Sequence, residues 1–379
     1  MNMIGLIDAD LLGRKRHRFP NLTLMKLSGY WKAKGEEVKL ITDYDEINGE
    51  SLFSKNDYDH IFMAKVFTDT KVPESVLKLD NLTYGGTGFY FDKAKPLPAD
   101  IEHHMPDYHI YDDVTFIDDS DKKGYEDYSV GFLTRGCFRH CPFCVNQRYN
   151  RSRAWSDVSE FMDSSRKHLL FLDDNFFACR DWKRILQKVI DTGKRFVFKQ
   201  GLDERLLDDE RAEMLFNSRY IGEFLFAFDN TKDLPIIREK LELARKYVDL
   251  SKLRFYTICG WDWQKKWGGY FWGRDIADVM FRINFLLSYG SLPYVTRFYK
   301  TYEAPEPYRT MYINIARWGN QMAMIKKMTL EDFCKISGGK SERMFEQFLQ
   351  MHPETAPLFK RKYGDSCQEK GAIEKNEGI

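Results

Sequence analysis

Three cysteines lie within eight residues of one another, at Cys137, Cys141 and Cys144 in the segment CFRHCPFC. Thiolates are ligands for soft metals, and three of them on one short loop can converge on a single site. A structural zinc site takes four ligands, usually as two separated pairs, so a zinc ion here needs His140 or a distant cysteine as its fourth ligand. A cubane 4Fe-4S cluster on three thiolates instead leaves one iron open for a substrate or cofactor. Both kinds of site remain open on these residues alone.

The cysteine segment stands at the start of a regular alternation of apolar runs and helical segments. The apolar runs are Val130–Leu133, Leu169–Leu172, Phe196–Phe198, Phe224–Phe228, Phe255–Ile258 and Tyr294–Phe298. Segments with helical spacing follow the later runs, at 181–192, 204–217, 232–247 and 274–288. Repeated strand–helix units predict parallel strands. Six units are too few for a closed eight-stranded barrel, so the pattern predicts an open, partial β/α barrel over 129–300.

The CxxxCxxC spacing after the first predicted strand resembles the cluster-binding loop of the radical SAM superfamily, in which an aromatic residue precedes the last cysteine. Phe143 fills that aromatic position. The resemblance covers roughly 129–300 and implies that Cys137, Cys141 and Cys144 hold a 4Fe-4S cluster whose open iron chelates S-adenosylmethionine. It implies reductive cleavage of the sulfonium, hydrogen-atom abstraction from a substrate by a 5′-deoxyadenosyl radical, and an electron donor such as flavodoxin or ferredoxin.

The second strand of the predicted barrel ends at Asp173, Asp174 and Asn175. Members of the superfamily place a polar motif here that holds the amino group of S-adenosylmethionine, and an ammonium group needs acceptors of this kind. The alternative is a turn or helix cap, since Asp and Asn favour turns.

Two further stretches resemble cofactor-binding positions of the superfamily. Gln200, Asp203 and Arg205 follow the third strand, as in cobalamin-associated radical SAM enzymes, so that Arg205 can pair with the carboxylate of S-adenosylmethionine and the other two can reach its ribose. Ile258 and Gly260 at the end of the fifth strand resemble the adenine-contacting stretch. The alternative for the first stretch is a solvated helix start.

Cys179 and Cys259 lie just beyond predicted strand ends. A thiol facing a reaction chamber can donate a hydrogen atom to a substrate radical or carry a covalent intermediate, which makes both candidate catalytic residues. A free cysteine is also commonly a small buried apolar residue, and that reading stays open.

Residues 1–100 predict a small Rossmann-like α/β domain, with buried strands at Met3–Ile7, Val38–Thr42 and Ile61–Phe67. A helix over 21–34 and a Gly-rich turn at 85–88 complete it. Their order resembles the cobalamin-binding-type domain that precedes some radical SAM barrels. The Asp-x-His-x-x-Gly loop that supplies a cobalt ligand there is absent, so cobalamin binding and a cofactor-free domain are both open.

Composition and the distribution of cysteines limit the class of protein and its location. The chain has 379 residues, with 58 Lys and Arg against 57 Asp and Glu, which excludes a global polycation. No apolar run approaches the roughly 20 residues that span a bilayer, and no signal peptide precedes the seven cysteines, so we expect a reducing, cytoplasmic location and no membrane partner. Residues 1–136 contain no cysteine, which disfavours the methylthiotransferases, whose amino-terminal domain carries a second cluster.

Two basic stretches allow a nucleic-acid partner. They are the run RKRHR at 14–18 and the basic–aromatic stretch WQKKW at 263–267, although a solvated loop between strand and helix explains the first better. The predicted organisation is the domain at 1–100, an acidic linker at 101–128, the barrel at 129–300 and a helical cap at 301–379 with a frayed tail.

The leading hypothesis is a radical SAM enzyme acting on an unidentified substrate, such as a nucleotide, nucleic acid or peptide. Its rival is a metal-stabilised nucleic-acid-binding protein without radical chemistry.

Overall fold

The computed structural model describes residues 2–17, 19–47, 58–115, 119–262 and 264–365. The chain packs into two compact units, Met1–Lys199 and Gln200–Ile379. The strands of the first unit are β1 (Met3–Asp8), β2 (Glu37–Leu40), β3 (His60–Ala64), β4 (Leu82–Gly85), β5 (Tyr128–Gly131), β6 (Thr134–Arg135), β7 (Arg153–Ala154), β8 (His168–Phe171) and β9 (Arg195–Phe198). Its helices are α1 (Ala9–Gly13), α2 (Leu22–Ala33), α3 (Glu74–Leu77), α4 (Thr87–Tyr90), α5 (Ala99–Glu102), α6 (Asp119–Glu126) and α7 (Trp182–Asp191).

The second unit contains three strands, β10 (Phe224–Ala227), β11 (Leu253–Cys259) and β12 (Leu292–Arg297), within its described residues. Its helices are α8 (Asp209–Phe216), α9 (Leu234–Ala244), α10 (Gly269–Ser288), α11 (Tyr308–Gly319), α12 (Met322–Lys327), α13 (Leu330–Ser337) and α14 (Gly339–Met351). Among the helices of the described ranges, none is long and apolar enough to cross a bilayer.

The amino-terminal sheet is parallel throughout, in the order β2-β1-β3-β4, which confirms the predicted small α/β sheet. Helix α2 begins where the sequence indicates, because the side chain of Asn21 accepts hydrogen bonds from the amides of Thr23 and Leu24 at 3.1 and 3.4 Å. The strand β4 is an addition, since the sequence indicated only a Gly-rich turn there.

Residues 101–128 are predicted as an acidic linker, but described side chains within this range pack against the sheet. Tyr108, Tyr111 and Tyr125 are buried in the same core as Leu6 and Leu24, and α6 forms in the acidic stretch. Burial of these large rings outweighs the lack of a regular apolar period, because each ring removes a large apolar area from water.

The three strands that follow form the parallel sheet β5-β8-β9, and they coincide with the first three apolar runs of the repeated pattern. The short strands β6 and β7 pair antiparallel, so that Arg135 lies opposite Arg153. Residues 136–152, which include the three cysteines, are the loop of this hairpin.

The strands of the second unit form the parallel sheet β10-β11-β12, which accounts for the last three apolar runs. Helices α8, α9 and α10 stand where helical spacing predicted them, between consecutive strands. The structure is therefore a mixed α/β protein with parallel sheets. The joining of all six strands into one partial barrel stays a prediction.

The carboxy-terminal region is helical, as predicted. Helices α11 and α12 are separated at Asn320 and Gln321. Trp318 is fully buried in this unit's core beside Tyr312 and Phe345, so its ring packs and is not a stacking surface. The predicted frayed tail from Gly364 falls almost entirely on residues outside the described ranges.

Candidate functional site

The three cysteines of the hairpin loop are half-buried and form no disulfide. Two of their sulfurs accept backbone hydrogen bonds: Cys137 Sγ from the amide of Arg139 and Cys144 Sγ from the amide of Asn146, each at 3.4 Å. A short turn closes from the amide of Cys144 to the carbonyl of Cys141 at 2.8 Å. N–H donors of this kind favour the thiolate form, the form that ligates metal.

Asp174 holds together the two ends of the cysteine loop, which is the segment 137–144 within the hairpin loop. Its Oδ2 accepts a hydrogen bond from the amide of Gly136 at 2.7 Å, and its Oδ1 accepts one from the side-chain amide of Asn146. Gly136 precedes the first cysteine of the loop and Asn146 follows the last. Burial raises the pKa of Asp174, while Arg135 and the hydrogen bond from Gly136 oppose that shift.

The neighbouring residues of the same motif also contact the loop and its strand. The side-chain amide of Asn175 donates to Cys137 Sγ at 3.4 Å. Asp173 is buried, and its carboxylate accepts from the amides of Leu133 and Thr134 at 3.2 and 2.6 Å. Burial raises the pKa of Asp173 to about 7 against these hydrogen bonds. In this structure the motif predicted to hold an ammonium group therefore positions the cysteine loop.

The donor set fits a soft metal or an iron–sulfur cluster in its chemistry. It consists of three thiols on one loop that form no disulfide, with N–H groups directed at two of the sulfurs. Among the described residues, however, no three Cys, His, Asp or Glu side chains converge as a ready metal site. A cluster bound by all three cysteines therefore requires their sulfurs to lie closer together than they do in this structure.

Known proteins offer few matches to this chain. No protein-family profile and no curated protein matches it. Solved structures that match it include the cobalamin-dependent S-adenosylmethionine radical enzyme OxsB with aqua-cobalamin bound and the apo, selenomethionine-labelled form of OxsB.

The measures of this likeness are low. The cobalamin-bound structure is 13% identical with a TM-score of 0.45, over 83% of this chain and 55% of that one. The apo structure is 14% identical with a TM-score of 0.45, over 93% of this chain and 61% of that one. The chain thus spans less than two thirds of the length of the structures it matches.

The carboxyl edge of the first sheet is where a ligand binds in folds of this order, between β1 and β3. Here the Asp10 carboxylate accepts from the amide of Val66 at 2.6 Å and from the hydroxyl of Thr70. Both ring nitrogens of His17 face protein groups, Tyr125 and, at 3.5 Å, Asp8. Asp10 and His17 thus contact protein groups, and neither ring nitrogen of His17 is left for a cobalt ion, so cobalamin binding gains no support from them.

The predicted residues of the second unit fall at strand ends. Gln200 is exposed, and Arg205 donates from Nε to Asp203 at 2.7 Å and from Nη1 to Asp233 at 3.1 Å. The guanidinium predicted to bind a carboxylate of S-adenosylmethionine is thus held by two carboxylates of the protein. Burial, followed by the charge of Asp203, raises the pKa of the adjacent Glu204 to about 8.

Ile258 and Gly260 are fixed by half-buried acids that sequence reasoning did not single out for this role. The amide of Ile258 donates to Asp229 at 2.8 Å, and that of Gly260 donates to Asp275 at 2.7 Å. The buried Arg282 donates to the carbonyl of Ile258 at 2.9 Å. A charged residue on the apolar face of a helical segment is the one signal that could have indicated this role.

The two candidate catalytic cysteines are buried, with 2% of Cys179 and none of Cys259 exposed. Burial raises the pKa of both thiols. Cys259 Sγ donates to the carbonyl of Thr296 at 3.6 Å within the core of the second unit. Their role as hydrogen donors stays a prediction, as does a role for Phe143 beside the last cysteine of the loop.

Proposed function

We propose that the protein is a radical SAM enzyme, in which Cys137, Cys141 and Cys144 hold a 4Fe-4S cluster and the reaction abstracts a hydrogen atom from a substrate. The observation that carries the proposal is the cysteine loop itself. Three thiols at CxxxCxxC spacing lie directly after the first strand of a parallel sheet, with N–H groups donating to two of them. Asp174, just after the neighbouring strand, holds both ends of that loop.

When bound, such a cluster supplies the electron that cleaves the sulfonium of S-adenosylmethionine. The residues of the chain place and shield it. Asp174 and Asn175 orient the loop, and the amides of Arg139 and Asn146 stabilise negative charge on the sulfurs. We also propose that S-adenosylmethionine contacts the residues predicted for it in the second unit, which are Gln200, Asp203, Arg205, Ile258 and Gly260.

Anaerobic purification followed by metal analysis tests the proposal. We expect about four irons per chain and, with reductant and S-adenosylmethionine, formation of 5′-deoxyadenosine. Cys141→Ala should lose both the iron and the product, whereas Cys334→Ala, which alters a buried thiol in the core of the second unit, should keep the iron. Full iron loading of Cys141→Ala would refute the ligand assignment.

The second candidate is a zinc-stabilised nucleic-acid-binding protein. It is favoured by residues 134–156, which surround the three cysteines and contain five arginines and no Asp or Glu, because such a local cationic surface can neutralise phosphates. Stoichiometric zinc without iron in the anaerobically purified protein would select this alternative.

A further inference from the structure

The carboxyl edge of the sheet β10-β11-β12 exposes aromatic rings. Tyr299 and Tyr302, which follow β12, are 57% and 59% exposed, and Tyr270 at the start of α10 is 72% exposed. The carboxyl edge is where parallel α/β sheets bind ligands. Large rings left in water at such an edge indicate a surface that is covered by a partner.

The ring of Tyr299 is held from behind by a rigid aromatic stack. It lies 4.5 Å from Phe298, and Phe298 in turn packs edge-on against Trp261 at 4.8 Å and parallel to Trp267 at 6.3 Å. The indole nitrogen of Trp267 donates to the carbonyl of Gly260 at 3.2 Å. A planar ligand that stacks on Tyr299 therefore costs little side-chain conformational entropy, because the ring is already packed.

Cations surround these rings. The ammonium of Lys300 lies 5.2 Å from the ring of Tyr299 and 5.7 Å from that of Trp267, and it also pairs with Glu303 at 2.6 Å. The guanidinium of Arg297 lies 4.7 Å from the ring of Tyr302. Each ring is thus paired with a positive charge, the combination that binds a stacked base and its phosphate together.

A turn after β11 adds two further cations. The carboxylate of Asp262 accepts from the backbone amides of Gln264, at 2.9 Å, and Lys266, and Lys265 between them has φ +56°. Lys265 and Lys266 are exposed, and neither forms an ion pair with a described residue. A non-glycine residue in the left-handed region carries a cost in conformational energy, so this turn is fixed by Asp262 in a shape that places both ammonium groups in solvent.

We propose that this surface, formed by Tyr299, Tyr302, Lys265, Lys266 and Lys300, binds single-stranded nucleic acid. Bases stack on the exposed tyrosine rings, and phosphates contact the lysines. A duplex is disfavoured because its bases are stacked on one another and offer no free face. The inference rests on the proposed function in one respect: it makes a nucleic-acid strand the substrate class of the radical enzyme.

An independent observation in the first unit agrees with a polyanionic partner. Residues 134–156 contain five arginines and no Asp or Glu. Arg135 lies directly opposite Arg153 in the β6–β7 hairpin, and like charges in that position destabilise strand pairing. Arg135 Nε is buried and has no hydrogen-bond partner in the described part of the chain. An anion beside the cysteine loop relieves this repulsion.

Fluorescence anisotropy with labelled single strands of about 20 nucleotides, as RNA and as DNA, tests the proposal on the full-length, cluster-loaded protein. We expect Tyr299→Ala to weaken binding about tenfold and Tyr299→Phe, which keeps the ring, to stay within about twofold. The double variant Lys265→Ala/Lys266→Ala should lower the slope of log affinity against log salt by about 1.4, at roughly 0.7 per phosphate contact.

The matched control is Lys246→Ala/Lys252→Ala, which removes the same charge from exposed lysines that precede β11 and so lie at its amino end. No binding of either strand, a preference for duplex, or equal losses in the two double lysine variants would each overturn the proposal. These outcomes are distinct from a failure of the proposed function. A protein that cleaves S-adenosylmethionine but binds no strand refutes this surface alone, and a strand-binding protein without iron refutes the radical chemistry alone.

Discussion

Both carboxylate oxygens of Asp174 accept hydrogen bonds from residues that flank the cysteine loop. We predict that Asp174→Ala leaves the Gly136 amide and the Asn146 side chain unpaired, which costs about 1–3 kcal/mol of stability, and lowers metal affinity about tenfold or more. Iron content after reconstitution at limiting iron, together with the melting temperature of the metal-free protein, measures the two effects. Asp181→Ala removes a half-exposed carboxylate at the start of α7 and should change neither. Equal iron affinity in Asp174→Ala and wild type contradicts the positioning role.

Glu204 is a buried carboxyl whose pKa is raised from an ordinary 4.5 to about 8 by burial and by Asp203. At pH values between about 4.5 and 8, Glu204 is protonated in the folded protein and ionised in the unfolded chain. The contribution of this group to stability is therefore full below about pH 4.5 and is lost as the pH rises through about 8.

Glu204→Gln removes that titration, so we predict a flatter dependence of the free energy of unfolding on pH between about 5 and 8. Urea unfolding at several pH values measures the slope, and Glu213→Gln, an exposed glutamate on α8, should leave it unchanged. A variant with the wild-type slope would show that Glu204 is ionised in the folded protein.

The β6–β7 hairpin depends on the close approach of its two ends. Gly136 has φ +100°, and a Cβ there would lie 2.3 Å from the carbonyl oxygen of Arg151. We predict that Gly136→Ala destabilises the protein by about 1–3 kcal/mol more than Gly193→Ala, and that it reduces iron binding. Gly193 also has a positive φ, +68°, but nothing lies within 4 Å of its Cβ position, so it isolates the conformational cost from the clash. Denaturant unfolding of both variants gives the comparison, and similar losses would contradict the steric argument.

The strands and helices of this protein could be predicted because their signal is local. Each apolar run of the repeated pattern became a strand, and Asn21 marked the start of α2. The function of the Asp173–Asn175 motif in holding the loop could not be predicted, because the sequence does not show which loop a strand end faces. The strand β4 was missed for a related reason: half-exposed at its sheet edge, it has only a weak apolar signal.

At the scale of the whole molecule, a net charge of +1 conceals an uneven distribution of charge. All charged side chains of 134–156 are cationic, whereas acids such as Asp174 and Asp275 accept hydrogen bonds from backbone amides. Near-neutral proteins of this size bind polyanions only through such local surfaces. Partner binding should therefore involve few phosphates and depend only moderately on salt.

The division into two units predicts which residues are stabilised when the cluster binds. All three cysteines and Asp174 belong to Met1–Lys199, so loading without S-adenosylmethionine adds its binding free energy to that unit. We predict that hydrogen exchange slows about tenfold or more at residues 134–154 and 171–175, and that the amides of α11 and α14 in the second unit keep their metal-free rates. Exchange measured by mass spectrometry on metal-free and loaded protein resolves the two regions, and Cys141→Ala, treated identically, should show no slowing in either. Slowing of equal size in both units would mean that cluster binding is coupled to the folding of the whole chain, because a stabilisation confined to one cooperative unit cannot protect the amides of another.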